Sequence, residues 1–96
     1  MRNVVFVSYD ICDPRRLRAV YHYMRGRGDH IQYSVFRCEL SATERARLIA
    51  GLAELVSHSE DQVLLIDVGP VDGRGTGCVE AVGRPFVTVS RRAVIV

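Results

Sequence analysis

The run Val4-Val5-Phe6-Val7-Ser8-Tyr9-Asp10-Ile11-Cys12-Asp13-Pro14-Arg15-Arg16 decides how this chain folds. Its first half is β-branched and aromatic on both faces of a strand: Val5, Val7 and Tyr9 on one, Val4 and Phe6 on the other. A strand over residues 3–9 with that pattern belongs in the middle of a sheet, covered on both sides. Asp13 then takes the position of a helix N-cap, with Pro14 at the first helical residue, where its missing N–H costs nothing. Between strand and cap stands Asp10, a carboxylate on a rigid strand end. The helix that follows opens with Arg15, Arg16 and Arg18. Carboxylate, helix N-terminus and arginines together point to phosphate or metal chemistry.

Working outward, Leu17, Val20, Tyr21 and Met24 form an apolar helical stripe, Arg25 lies largely off it, and Gly26 and Gly28 end the helix. Residues 31–40 alternate as a strand, with Phe36, Cys38 and Leu40 opposite Val35, Arg37 and Glu39. Ser41-Ala42-Thr43-Glu44 is a capping box for a second helix whose Leu48, Ile49, Leu52, Leu55 and Val56 face the core, and His58-Ser59-Glu60 ends it. Gln62 to Val68 reads as a third strand closed by Gly69-Pro70. The glycine-rich stretch 72–77 leads to a short fourth strand around 78–82. Gly83-Arg84-Pro85 turns the chain into extended segments at 86–90 and 93–96.

This order is read as βαββαβ plus a C-terminal extension, an α+β ferredoxin-like sandwich with both helices on one face. Residues 1–96 form a single domain, and 84–96 are an extension expected to pair with a partner subunit. The other sheet face is too apolar for solvent, so a face-to-face homodimer is expected to cover it.

Ninety-six residues leave no room for a second core, and the 48% hydrophobic and 25% charged shares are those of an ordinary globular chain. No apolar run approaches the roughly 20 residues that span a bilayer, and no cleavable leader is expected at the N-terminus. Three well-separated cysteines, Cys12, Cys38 and Cys78, fit neither a disulfide framework nor a zinc motif, so reduced thiols in a cytoplasmic protein are expected. The net charge is only +2, but all 13 basic residues are arginine, whose planar fork suits phosphate.

Asp10 is the lead site residue. In a two-fold dimer whose axis passes near the strand end, two Asp10 carboxylates meet, and paired carboxylates with waters suit Mg²⁺ or Mn²⁺. Such an ion activates water against a phosphodiester. Arg15, Arg16 and Arg18 are candidate anion contacts on the helix N-terminus, with a solvated helix face as the alternative, while Ser34 and Phe36 are candidates to touch a sugar-phosphate or stack a base, with core packing as the alternative for Phe36. The histidines have no metal-ligand spacing, although His30 is a candidate basic contact. The loop Gly73-Arg74-Gly75-Thr76-Gly77 lacks the following helix and the Lys-Ser/Thr pair of a phosphate-cradling loop. Three classes fit: a metal-dependent nuclease, a non-catalytic nucleic-acid-binding scaffold or regulator, and a toxin-type ribonuclease. An RNA-recognition motif does not, because Gln62 to Val68 contains no aromatic residue.

Tyr9-Asp10-Ile11, Asp13-Pro14-Arg15-Arg16-Leu17-Arg18 and Ile31-Gln32-Tyr33-Ser34-Val35-Phe36 resemble the small CRISPR-associated protein two family, over the first forty residues above all. The resemblance implies a ferredoxin-like homodimer that exchanges C-terminal strands, bridges two dimers of the CRISPR integrase and holds prespacer DNA in spacer acquisition. It further implies a metal-dependent endonuclease acting on RNA or double-stranded DNA, with Asp10 of both subunits holding Mg²⁺. Arg16, Arg18, Ser34 and Phe36 then match positions near the nucleic acid, with Arg37 and His30 as further carry-overs.

Overall fold

In the computed structural model, residues 1–86 are described. They run β1 (Asn3–Asp10), α1 (Pro14–Arg25), β2 (Asp29–Gln32), β3 (Val35–Leu40), α2 (Ala42–Leu55) and β4 (Gln62–Pro70). β1 pairs antiparallel with β3 on one side and β4 on the other, within a sheet ordered β2-β3-β1-β4. The doubly apolar strand is thus central, as its sequence requires.

Val5, Val7 and Tyr9 join Val20 and Met24 of α1, Leu48 and Leu52 of α2, and Phe36, Cys38 and Leu40 of β3 in one core, which places both helices over that face. Val5 and Val7 have no exposed area. Each such side chain contributes roughly 1.5–3 kcal/mol, a sizeable part of the about 5–15 kcal/mol that holds a domain together. α1 starts as expected: the Asp13 side chain accepts from the backbone N–H groups of Arg15 and Arg16, and Pro14 follows. The Ser41–Glu44 capping box of α2 is also present. Gly28 is buried where the chain leaves α1, and a Cβ there would come within 2.5 Å of Cys38 Sγ and 2.9 Å of the Arg37 carbonyl oxygen.

Several expectations are corrected. The stretch 31–40 is not one strand. It takes in the end of β2, the turn at Tyr33-Ser34 and β3 of a hairpin, and β2 supplies the fourth strand of the sheet. The turn was hidden because it holds no glycine: Tyr33 adopts φ of 22° and is left fully to solvent. Residues 78–82 form no strand. The element order βαββαβ therefore holds with different strands filling it. Leu17 and Ile49 lie at the exposed margins of their helical stripes rather than in the core.

The second sheet face is partly covered by the chain itself. After β4, Val71 N–H donates to the Arg2 carbonyl, and the N–H groups of Gly73 and Gly75 both donate to the Pro70 carbonyl. This tight turn lays Gly75 on Val4, where a Cβ would stand 2.6 Å from Val4 Cγ2. Val4 is consequently buried instead of facing outward. The turn and the segment to Phe86 also line the space over Arg37, whose guanidinium pairs with Glu39 at 3.0 Å with both side chains nearly covered. The β4 side of this face stays open, with Leu64 and Ile66 each 49% exposed. Of the extension 84–96, to which partner pairing was assigned, residues 87–96 lie outside the described residues.

Next to β1 at its start, Arg2 reaches the first turn of α2 and donates from Nε and Nη2 to the two Glu44 oxygens, 3.0 Å each. This guanidinium, with help from the Ser41 N–H, lowers the Glu44 pKa to about 2. A carboxylate with a depressed folded-state pKa stabilises above its unfolded value and ceases to do so as pH falls through the folded one. Glu44→Gln is expected to melt about 4 °C below wild type at pH 7, with the gap closing between about pH 4.5 and 2, as followed by circular dichroism.

Candidate functional site

Asp10 is the last residue of β1, exposed, and opposite Gln62, the first residue of β4. No hydrogen bond or ion pair engages its carboxylate among the described residues. The backbone beneath it is firm: Tyr9 N–H donates to the Ser34 carbonyl at 3.0 Å, so the β2–β3 turn braces the strand end. Ser34 is thereby brought beside the Asp10 position.

The turn after Asp10 is tied to β4 by a residue that the sequence reading passed over. Asp61, immediately before β4, accepts at Oδ1 from Cys12 N–H (2.9 Å) and Arg16 Nη2 (3.3 Å). At Oδ2 it accepts from Arg16 Nε (2.7 Å) and Ser57 N–H (2.8 Å). Its side chain has no exposed area. The Arg16 guanidinium, then the two backbone N–H groups, hold the Asp61 carboxyl well below the usual carboxylate range against the desolvation that opposes ionisation. Arg16 also donates to Glu60 Oε1 at 3.1 Å, and Cys12 Sγ–H to the Glu60 carbonyl at 3.0 Å. A carboxylate one residue ahead of a strand is a weak signal by itself. It becomes readable once β4 is known to run antiparallel to β1, which puts the start of one beside the end of the other.

The arginines divide. Arg16 faces inward and its fork is occupied, whereas the side chains of Arg15 and Arg18 are exposed and without partners among the described residues. Phe36 is fully buried, in ring contact with Tyr9, Tyr21 and His30, so its surface is not open to a base. Arg37 is likewise spent on Glu39, opposite Phe6 and four strand residues from the Asp10 level, about 13 Å. His30 clasps its own hairpin through Nε2 and the Tyr33 carbonyl oxygen at 2.7 Å. A cleft of about 600 Å³ between β2 and residues 79–86 is lined by His30, Gln32, Arg84 and Phe86, and Asp10 takes no part in it.

Chemically, the site within one chain is a free carboxylate on a braced strand end, followed in sequence by a helix start that carries two arginines with no partner among the described residues. Its oxygens are hard donors of the kind Mg²⁺ and Mn²⁺ prefer. No group of three or more His, Cys, Asp or Glu among the described residues is arranged to hold a metal ion, so the donor set fits such an ion only as part of a larger site. No helix among the described residues is long and apolar enough to cross a membrane.

Residues 3–72 match the family model described as CRISPR associated protein Cas2. The CRISPR-associated endoribonuclease Cas2 1 of Rhodospirillum rubrum is 39% identical over 90 residues, covering 94% of this chain and 87% of that protein. The CRISPR-associated endoribonuclease Cas2 of Geobacter sulfurreducens is 38% identical over the full length of both. Among solved structures, Cas2 of Streptococcus pyogenes at pH 6.5 superposes with a TM-score of 0.70 at 27% identity, over 83% of this chain and 99% of that one. A hypothetical protein of Thermus thermophilus superposes at 0.75 with 26% identity, over 90% and 98%. Sequence, element order and backbone agree: the chain belongs to the Cas2 family of CRISPR-associated proteins.

Proposed function

We propose that two copies of this chain pair face to face into an endonuclease that hydrolyses phosphodiester bonds in RNA or DNA, with Asp10 of each copy holding Mg²⁺ or Mn²⁺. The observation that carries this reading is the exposed, unpartnered Asp10 carboxylate on a braced strand end. Relatives at 38–39% identity are named endoribonucleases, which supports the reaction class. When bound, such an ion supplies a water of lowered pKa for attack on phosphorus. Asp10 serves as ligand, Arg15 and Arg18 with the α1 N-terminus draw in the phosphate backbone, and Ser34 lines the approach. The second carboxylate has to come from the second copy.

The dimer reading rests on Leu64 and Ile66, two large apolar side chains half exposed on adjacent positions of one sheet face. In the wider reading the same dimer works in the cytoplasm in CRISPR adaptation. There it bridges integrase dimers and holds prespacer DNA, and the free Arg15 and Arg18 supply the phosphate contacts.

Asp10→Asn is expected to lose roughly 10²–10³-fold in Mg²⁺-dependent cleavage of RNA and duplex DNA while melting as wild type does. Wild-type cleavage by this variant would assign the activity to a contaminant. Joint Arg15→Ala and Arg18→Ala substitution should weaken duplex binding and reduce the slope of log K against log salt by about 2, measured by fluorescence anisotropy. Leu64→Asp with Ile66→Asp should sediment as a monomer where wild type sediments as a dimer, and a dimer of unchanged stability would place the interface elsewhere.

A further inference from the structure

Among the described residues no group holds the Asp10 carboxylate, yet both of its structural neighbours are tied to one residue. Cys12, two positions on in the chain, gives its N–H to Asp61, and Gln62, its partner across the ladder, directly follows Asp61. The same carboxylate accepts from Ser57 N–H and takes both Nε and Nη2 of Arg16. Its side chain has no exposed area, within a residue that is half-buried. A carboxylate with no exposed side-chain area and both oxygens satisfied by charged and backbone donors is a rigid joint, because releasing a donor leaves a polar group unsatisfied away from water.

We infer that Asp61 is the positioning residue of the Asp10 site, and that Arg16 serves this joint rather than the nucleic acid. The inference rests on Asp10 being the reactive carboxylate. The joint fixes where the turn leaves β1, and a shift of about 1 Å in a reacting group is enough to cost on the order of 10²-fold in rate. Arg16 is suited to it because its fork meets both carboxylate oxygens at once, whereas a lysine offers a single point charge. With its fork occupied, phosphate contact passes to Arg15 and Arg18.

The test compares wild type, Asp61→Asn and Arg16→Lys. Cleavage of single-stranded RNA is followed with RNA and Mg²⁺ each titrated, together with amide hydrogen exchange at Cys12 and Mn²⁺-induced NMR broadening at Asp10. An Asn at position 61 turns an amide donor toward groups that are themselves donors. Asp61→Asn is expected to lower kcat roughly 10- to 100-fold, to raise the Mg²⁺ concentration for half-maximal rate, and to leave KM for RNA unchanged. Exchange at Cys12 should speed up and broadening at Asp10 should weaken. Arg16→Lys should move kcat the same way by less, with KM unchanged.

A role in stability alone would lower the melting temperature while leaving kcat per folded molecule and the Mg²⁺ midpoint at wild-type values, and that result overturns the inference. So does a raised KM with unchanged kcat in Arg16→Lys, which would make Arg16 a substrate contact. If Asp61→Asn does not fold, the KM-against-kcat split of Arg16→Lys decides. If wild type shows no Asp10-dependent cleavage, the endonuclease reading falls. Unchanged Cys12 exchange and unchanged Mn²⁺ broadening in the folded variants would then separately overturn the positioning role.

Discussion

A strand with no polar face has to be covered on both sides, and β1 is such a strand. Helices α1 and α2 cover Val5, Val7 and Tyr9, and the turn after β4 covers Val4. Its two ladder neighbours satisfy its backbone on either side. Along β1 the side chains are buried or half-buried, and among its residues only the terminal Asp10 is exposed. Asp10 is therefore both exposed and rigid, a combination that a loop carboxylate does not have. The same demand for cover applies to the remainder of the second face, where Leu64 and Ile66 are half exposed.

Near each end, β1 is clasped to a helix start by an arginine fork. Arg2 reaches from just before β1 to Glu44 in the first turn of α2, and Arg16 reaches from the first turn of α1 to Asp61 beside the end of β1. In each case the arginine depresses the carboxyl pKa, and in each case backbone N–H groups share the load. The two differ in burial. The Arg2–Glu44 pair stands well in solvent and contributes modestly, while Asp61 is enclosed and its loss leaves donors and charge unsatisfied. Rigidity is thus concentrated at the end of the strand that carries Asp10.

Local signals in the sequence were legible where the physics is local. The Asp13-Pro14 start of α1 and the Ser41–Glu44 box of α2 depend on atoms within a few residues, and both stand as read. The central place of β1 followed from its own two faces. The β2–β3 turn escaped because Tyr33 takes a positive φ with no glycine or asparagine to announce it, and a strand-like alternation ran straight through the bend. The strand alternation already offered core packing for Phe36, and Tyr9, Tyr21 and His30 around it decide against the base-stacking alternative. The place of Asp10 at the end of β1 was legible from the run that carries it. Asp61 was not, since all but one of its hydrogen-bond partners are more than forty residues away in sequence.

The three arginines at the start of α1 show why residue type alone does not assign a site. Successive residues on a helix are about 100° apart, so Arg15 and Arg18 share a face while Arg16 points away from both. The face that Arg16 occupies is the one turned to the β4 start, where Asp61 waits with two oxygens. Arg15 and Arg18 look outward, with no acceptor among the described residues to claim them. One short run thus supplies both the joint that holds the carboxylate end of β1 and the free charges beside it. The division is made by one distant aspartate and by helical phase, which the burial of Val20 and Met24 fixes.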